Sequence, residues 1–416
     1  MYRIKTAKIT EKIVALPTSK SVSHRICILG AMNSGPTRIK HLLASEDLEI
    51  TQTALQNMGM KSRQNGDVLE IESPIGTVTK PDAFLGNSGS SARFLVPLAA
   101  HLDQPFRFYG TDRLHERPFL QVFDACAKLG IRIDHRGGSL PATVHPATLP
   151  GGKIHFDNLP TSQIITAMMM SALWMENDLT IELQENIPSL PYISMTYKLM
   201  KRLNLPVEFS KNAIWVKAQK PDYIWNYQVE KDFSAAGYWV ALGLIHGAKI
   251  SLTDVMLPSL QGDERIFEIA EEIGARVMLY PDRVEISGGI ERGFTVDCVD
   301  IPDMVPTLAI IAMFAPDAVK LTGVENLRFK ESDRIAAVQK NLAALGGKSD
   351  YADGTLTIFP QKKYRGAALQ AFNDHRIAMS FALAGTKIPG ITIDEPQCVA
   401  KSYPDFWAHL ELWEEV

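Results

Sequence analysis

Cysteine is scarce in this sequence of 416 residues: Cys27, Cys126, Cys298 and Cys398 lie far apart and form no CxxC pair. That excludes a disulfide framework and a zinc knuckle, and it fits a reducing compartment. No His/Cys cluster at ligand spacing is present either, so neither a metal nor an organic cofactor is expected. Long apolar runs are missing too. Stretches such as 235–245 fall short of the roughly 20 residues of a spanning helix. The first residues, MYRIKTAKIT, lack the apolar centre of a signal peptide. Nor is there an excess of positive charge. The 43 Lys and Arg stand against 47 Asp and Glu, a formal net charge of −4, so no broad basic field addresses nucleic acid. A cytoplasmic monomer that touches neither membrane nor nucleic acid is expected. Anionic metabolites remain possible partners through a focused basic pocket.

What is present is ordinary globular composition, 46% hydrophobic and 22% charged, arranged in a long repeat. Six polar clusters each run straight into an apolar, small-residue stretch. They begin at Lys20 (KSVSHRICILGA), Asn87 (NSGSSARFLVPLAA), Ser162 (SQIITAMMMSAL), Asp232 (DFSAAGYWVALGLI), Asp303 (DMVPTLAIIAMFA) and Asp374 (DHRIAMSFALAG). Successive spacings are 67, 75, 70, 71 and 71 residues. A second element follows in constant phase: a helix ending near Gly59, Gly130, Asn204, Gly274 or Gly346, then two short β runs around a turn. Only five such hairpins are visible, and the strand-like segment Tyr2–Thr6 is expected to complete the sixth unit. Each unit reads as strand, buried helix, strand, surface helix, hairpin. Segments apolar all round, such as Thr307–Phe314, must be buried on every side. The predicted fold is therefore α/β, with two similar domains of three βαβαββ units, helices inside and sheets outside. The expected division is 1–16 plus 230–416 for one domain and 17–229 for the other.

The polar clusters cap helices, but several carry cations where capping needs none: Lys20, Arg25, Arg93 and Arg376. A cation at a helix start opposes the dipole and calls for an anionic partner. Thr111–Pro118 (TDRLHERP) packs two Arg, one His and two acids, as a surface salt-bridge loop or as a lid whose Arg reaches a phosphate. Asp303 precedes an entirely apolar helix, where it is either a cap or a base whose pKa apolar surroundings raise. Asn326–Arg334 (NLRFKESDR) alternates charges, either as a solvated face or as acid and anion clamp. Asp374, His375 and Arg376 crowd another buried helix start, which is costly without a ligand.

Taken together, LPTSKSVSHR, LGNSGSSARFLVPLAA, ERPF, TSQ, PSLPY, LQGD, IPDMVPTLA, NLRFKESDR, NDHRIAMSFAL and AKSYPDF resemble the ordered motif set of the 5-enolpyruvylshikimate-3-phosphate synthase family. The resemblance covers nearly the whole chain. It implies an inside-out α/β barrel in each domain and transfer of the enolpyruvyl group of phosphoenolpyruvate to the 5-hydroxyl of shikimate 3-phosphate. On this resemblance, Lys20, Ser21, Arg25, Thr161, Ser162, Gln163, Ser189, Tyr192, Asp303, Asn326 and Lys330 match contacts to shikimate 3-phosphate. Lys20, Asn87, Gly89, Arg117, Gln163, Arg334, Arg376 and Lys401 match contacts to phosphoenolpyruvate. Asp303, aided by Lys20, matches the base on the 5-hydroxyl, and Glu331 matches the proton donor to the methylene carbon.

The chain departs from the family pattern in three places. Thr18 stands where Gly is usual, Thr161 where Ser is common, and His24 where Asn is usual, which adds a titrating group near the phosphoshikimate site. Two rival readings are a sister transferase acting on UDP-N-acetylglucosamine and a non-catalytic paralogue that binds phosphorylated metabolites. The sister enzyme typically carries a Cys in the lid, and 112–118 has none; the paralogue reading is disfavoured because Asp303, Glu331 and the Arg set are all present.

Overall fold

In the computed structural model, which describes residues 1–156, 161–184 and 187–411, each of the six polar clusters opens a buried helix. These are α1 (Lys20–Met32), α2 (Gly89–Leu98), α3 (Gln163–Ser171), α4 (Phe233–His246), α5 (Val305–Met313) and α6 (His375–Gly385). Side chains stop four of them at their N-termini: Ser19, Ser88, Asp232 and Asp374 accept from the N–H groups of Val22, Ser91, Ala235 and Arg376. All nine residues of α5 and all eleven of α6 are buried, as helices without a polar face must be.

The chain forms two compact units, a terminal unit of Met1–Pro17 with Glu230–Val416 and an inserted unit of Thr18–Val229. The last residues of the expected terminal domain, 412–416, lie outside the described residues. In the terminal unit α4, α5 and α6 pack on one another in all three pairings, and in the inserted unit α2 packs on α3.

The described residues form six sheets, five of four strands and one of three. One repeat shows the plan. Strand Asp82–Phe84 leads into α2 and runs parallel to Phe106–Tyr109, with Ala83 opposite Phe108. The surface helix Leu120–Lys128 follows, and the hairpin Ile133–Arg136 and Ser139–Val144 then joins the same sheet antiparallel. All five hairpins read from sequence are present. The residue closing each preceding helix has a left-handed backbone, φ 109° at Gly59 and φ 58° at Asn204, where asparagine replaces glycine.

The remaining strands come from distant sequence. Trp225–Gln228 pairs parallel with Thr37–Lys40 and supplies the first strand of the repeat built on α1. Glu11–Ala15 does the same for the repeat built on α4, beside Lys249–Thr253. Among the described residues the sixth unit has no hairpin of its own; Tyr2–Arg3 pairs antiparallel with Thr392–Ile393 and completes it, as the sequence led us to expect. No helix among the described residues is long and apolar enough to cross a membrane.

Candidate active site

The helix starts carry the candidate residues, and each unit holds its own group of them. In the inserted unit, Lys20 opens α1 and its Nζ lies 3.3 Å from Asp47 Oδ2. One turn on, Arg25 donates from Nε to Thr196 Oγ1 at 2.8 Å, from Nη1 to the Ser21 carbonyl at 2.8 Å, and from Nη2 to the Tyr192 carbonyl at 3.2 Å. Burial pushes the Arg25 guanidinium down to about 10, still charged at neutral pH. Three hydrogen bonds fix the fork in place, which suits bidentate recognition of a phosphate or carboxylate.

Around α2 and α3 a second group assembles. Arg117, buried after the short helix Asp112–Glu116, donates to the Asn87 carbonyl at 3.3 Å. Its guanidinium lies flat against Gly89: a Cβ there would sit 2.5–2.6 Å from Cζ and both terminal nitrogens. Arg93 donates to Gln163 Oε1 at 3.1 Å, and Gln163 Nε2 donates to Ser90 Oγ at 2.9 Å. Thr161 Oγ1 accepts the Gln163 N–H at 3.3 Å. Ser162 is buried as the cap residue of α3, and Ser189 opens the helix Leu190–Arg202 in a left-handed conformation, φ 60°.

In the terminal unit one guanidinium organises the charges. Arg334, 1% exposed, donates from Nε to Asp374 Oδ2, from Nη1 to Asp303 Oδ1 and from Nη2 to Glu331 Oε2, each at 2.8 Å. Asp303 Oδ2 accepts from Arg376 Nη2 at 2.8 Å, and Lys330 Nζ lies 3.6 Å from Oδ1. Asp374 Oδ2 also accepts from Ser332 Oγ at 2.9 Å. Asn326 lies half-buried on the turn Glu325–Phe329, and Lys401 is buried at the end of the turn Pro396–Lys401. Among the described residues no group of three or more His, Cys, Asp or Glu side chains is arranged to hold a metal ion.

Cations thus stand at the starts of three of the six buried helices, α1, α2 and α6, and the chain as a whole is similar to known proteins. The family model described as EPSP synthase (3-phosphoshikimate 1-carboxyvinyltransferase) matches residues 4–410. A 3-phosphoshikimate 1-carboxyvinyltransferase of Syntrophobacter fumaroxidans is 35% identical over 413 residues, 96% of this chain and 96% of that protein. One from Xenorhabdus nematophila is 33% identical over 97% of this chain and 96% of its own length. The chain belongs to the EPSP synthase family. The solved EPSP synthase of Acinetobacter baumannii shares the fold, with a TM-score of 0.78 over 98% of this chain and 96% of that one, at 24% identity. The enolpyruvyl transferase NikO from Streptomyces tendae has a TM-score of 0.79 at 16% identity, covering 98% of this chain and 95% of its own.

Against the EPSP synthase pattern, two expectations need correction. The first is His24. It is 1% exposed, hydrogen-bonded through Nδ1 to Thr51 Oγ1 at 2.9 Å, and burial pushes it down to about 3. It is a neutral core imidazole and not a group that titrates near the working pH. Its folded value lies below the unfolded one near 6.5, so the unfolded chain binds the extra proton and stability falls as pH drops through that window. We expect His24→Asn to flatten this acid-side loss between pH 6.5 and 4 in urea unfolding, with no change in the pH dependence of activity near neutrality. The second correction is Asp303. Burial alone pushes its carboxyl up, as the apolar helix suggested, but Arg376, Lys330 and Arg334 outweigh burial and hold it well below the usual carboxylate range.

Three residues given no role from sequence stand in these groups: Asp47 beside Lys20, Arg93 on Gln163, and Asp374 on Arg334. Arg93 carried a signal as a cation in a helix's first turns. Asp374 carried one too, in the crowded Asp374–Arg376 group, whereas Asp47 looked like an ordinary helix-start acid.

Proposed function

We propose that this chain transfers the enolpyruvyl group of phosphoenolpyruvate to the 5-hydroxyl of shikimate 3-phosphate and releases phosphate. The observation that carries the reading is the pairing of Asp303 and Glu331 on the single guanidinium of Arg334, within a chain that matches 3-phosphoshikimate 1-carboxyvinyltransferases over nearly its full length. Asp303, with Lys20, takes the 5-hydroxyl proton, and Glu331 gives a proton to the methylene carbon. The 5-oxygen bonds to the central carbon and forms a tetrahedral phospho-ketal. The methyl group then returns a proton to Glu331 as the bond from carbon to phosphate oxygen breaks, and the leaving phosphate takes the proton held by Asp303 and Lys20. Arg117, Arg334, Arg376 and Lys401 balance the phosphate and carboxylate of phosphoenolpyruvate. Asn87 and Gly89 line that ligand. Ser21, Arg25, Thr161, Ser162, Gln163, Ser189, Tyr192, Asn326 and Lys330 hold shikimate 3-phosphate. The chain acts as a cytoplasmic monomer on this reading, and its buried free cysteines fit the reducing compartment.

Phosphate release from phosphoenolpyruvate, followed in parallel with shikimate 3-phosphate and with UDP-N-acetylglucosamine, tests the reading. Release with the first alone, with a product heavier by one carboxyvinyl group, supports it; release with the nucleotide sugar alone, or with neither, overturns it. A narrower prediction concerns the Arg117–Gly89 contact. Gly89→Ala puts a methyl group into the space of the guanidinium, which must move. KM for phosphoenolpyruvate is expected to rise at least about tenfold, some 1.4 kcal/mol of binding, while the unfolding midpoint stays near wild type.

A further inference from the structure

Four buried side chains of the inserted unit have no part in the proposed chemistry, yet they form one continuous line between two groups that do. His24 lies one turn after Lys20 on α1, Thr51 lies one turn after Asp47 on the helix Glu46–Asn57, and Ser88 and Ser91 stand at the start of α2. His24 Nδ1 is 2.9 Å from Thr51 Oγ1, Thr51 Oγ1 is 2.7 Å from Ser91 Oγ, and Ser91 Oγ is 2.7 Å from Ser88 Oγ. None of the four is more than 1% exposed. At one end Asp47 Oδ2 lies 3.3 Å from Lys20 Nζ. At the other, Ser88 sits between Asn87, whose carbonyl accepts from Arg117, and Gly89, which the Arg117 guanidinium faces.

Counting protons fixes the direction of every bond. A hydroxyl donates once and accepts twice. Thr51 Oγ1 has three partners, and one of them, the Asp47 carbonyl at 3.0 Å, can only accept. Thr51 therefore gives its proton to that carbonyl, a common back-bond of helical threonine. His24 Nδ1 and Ser91 Oγ must then both donate to Thr51. Ser91, with its own proton committed, accepts from the Ser88 hydroxyl, and Ser88 accepts the Ser91 N–H at 3.4 Å. His24 thus carries its proton on Nδ1. The other tautomer would turn the Thr51 hydroxyl away from Asp47. It would also put an N–H at Nε2, which is buried and has no hydrogen-bond partner among the described residues.

We propose that the Nδ1–H of His24 anchors the hydroxyl chain from Ser88 through Ser91 to Thr51, and that this chain sets the position of the Asn87–Gly89 loop and with it the affinity for phosphoenolpyruvate. His24, Thr51 and Ser91 are positioning residues that act through the loop. Each bond in the chain depends on its neighbour for a donor, so removing one link leaves a buried polar atom unpaired and frees the start of α2 to shift. Arg117 shifts with it, because it is held to both Asn87 and Gly89. The inference rests on the reading of Asn87 and Gly89 as contacts to phosphoenolpyruvate.

Steady-state kinetics at pH 7.5 on wild type, His24→Leu, His24→Asn, Thr51→Val, Thr51→Ser and Ser91→Ala test the chain. KM for phosphoenolpyruvate is expected to rise about fivefold in His24→Leu, Thr51→Val and Ser91→Ala, the size of one lost hydrogen bond. KM for shikimate 3-phosphate and kcat are expected to stay within about twofold of wild type. Asparagine offers an amide N–H at the reach of Nδ1, and serine keeps the hydroxyl, so His24→Asn and Thr51→Ser should return KM to near the wild-type value. A merely structural loss would lower the folded fraction, and so the apparent kcat, without touching KM. Histidine ¹⁵N spectra read the tautomer: the His24 signals, identified by their absence from His24→Asn, are expected to show a protonated Nδ1 and a bare Nε2 in both wild type and Ser91→Ala. A proton on Nε2, or an unchanged KM for phosphoenolpyruvate in folded Ser91→Ala and His24→Leu, overturns the proposal. Absence of enolpyruvyl transfer in wild type would sink the functional reading instead. Calorimetric titration of wild type and Ser91→Ala with phosphoenolpyruvate, which needs no turnover, would still decide the chain.

Discussion

Arg334→Met is expected to destabilise the terminal unit by on the order of 3–5 kcal/mol, the usual cost of removing one partner from a buried ionic network. Methionine comes close to the arginine stem in length, so the effect isolates charge and hydrogen bonding from packing. The wild-type guanidinium is 1% exposed and serves Asp303, Glu331 and Asp374. Burial disfavours its charge, but Asp374, Glu331 and Asp303 together more than offset that and raise its pKa above the ordinary arginine value. Without it, these carboxylates face one another with Arg376 and Lys330 as the remaining cations near Asp303. Arg334→Lys keeps the charge but not the planar fork that reaches three acceptors, so its loss should be smaller than that of methionine but still clear. Urea unfolding at pH 7.5 measures both. The pH dependence supplies a second reading. The folded pKa of Asp303 is depressed, so its contribution is in place above the unfolded value near 3.9 and is lost as pH falls through the folded value. In Arg334→Met that depression shrinks, and less stability remains to be lost on the acid side. An unchanged urea midpoint in Arg334→Met would mean that the network contributes nothing to the fold.

The periodic features of this molecule could be read directly from its sequence. A repeat near 70 residues is a long-range regularity, and its six junctions fall at the starts of six buried helices because polar caps and apolar interiors are both local demands. The hairpins were visible through their turn chemistry, and Tyr2–Arg3 through the gap that the sixth unit left. The partners of each charge were hidden. Asp303 reads as a carboxylate before an apolar helix, and nothing in its own segment announces that Arg376 arrives from 73 residues away. The inferred upward shift was therefore right about burial and wrong about the sum. His24 shows the same limit: among the polar residues of its cluster it reads as a titrating group, yet it bonds to Thr51, 27 residues on, in a packed interior. The Lys20–Asp47 pair joins a residue with a visible motif to one without, and Arg334–Asp374 joins two motifs 40 residues apart, a pairing that neither segment announces.

That hidden charge balance also sets what Asp303→Asn should do. With its cations in place, Asp303 is too weak a base to take a hydroxyl proton efficiently. All three of those cations, Arg376, Lys330 and Arg334, are residues assigned to the substrates. As anionic substrates engage them, the downward pull on Asp303 weakens and the upward push of burial remains. On the proposed function, the base is strengthened by the binding of the molecules it acts on. Asparagine keeps the shape and removes the proton acceptor, so kcat is expected to fall by about 10²–10⁴-fold. KM for phosphoenolpyruvate should stay level or fall, because Arg376 loses an internal anion that competes with the ligand. Steady-state kinetics at pH 7 separate the two effects. A residue that only held Arg376 in place would give the opposite split, with KM raised and kcat largely kept. Glu331→Gln is the matching control, since Arg334 then still holds Asp303 and Asp374. Near-normal turnover in both variants would remove the two proton transfers from these carboxylates.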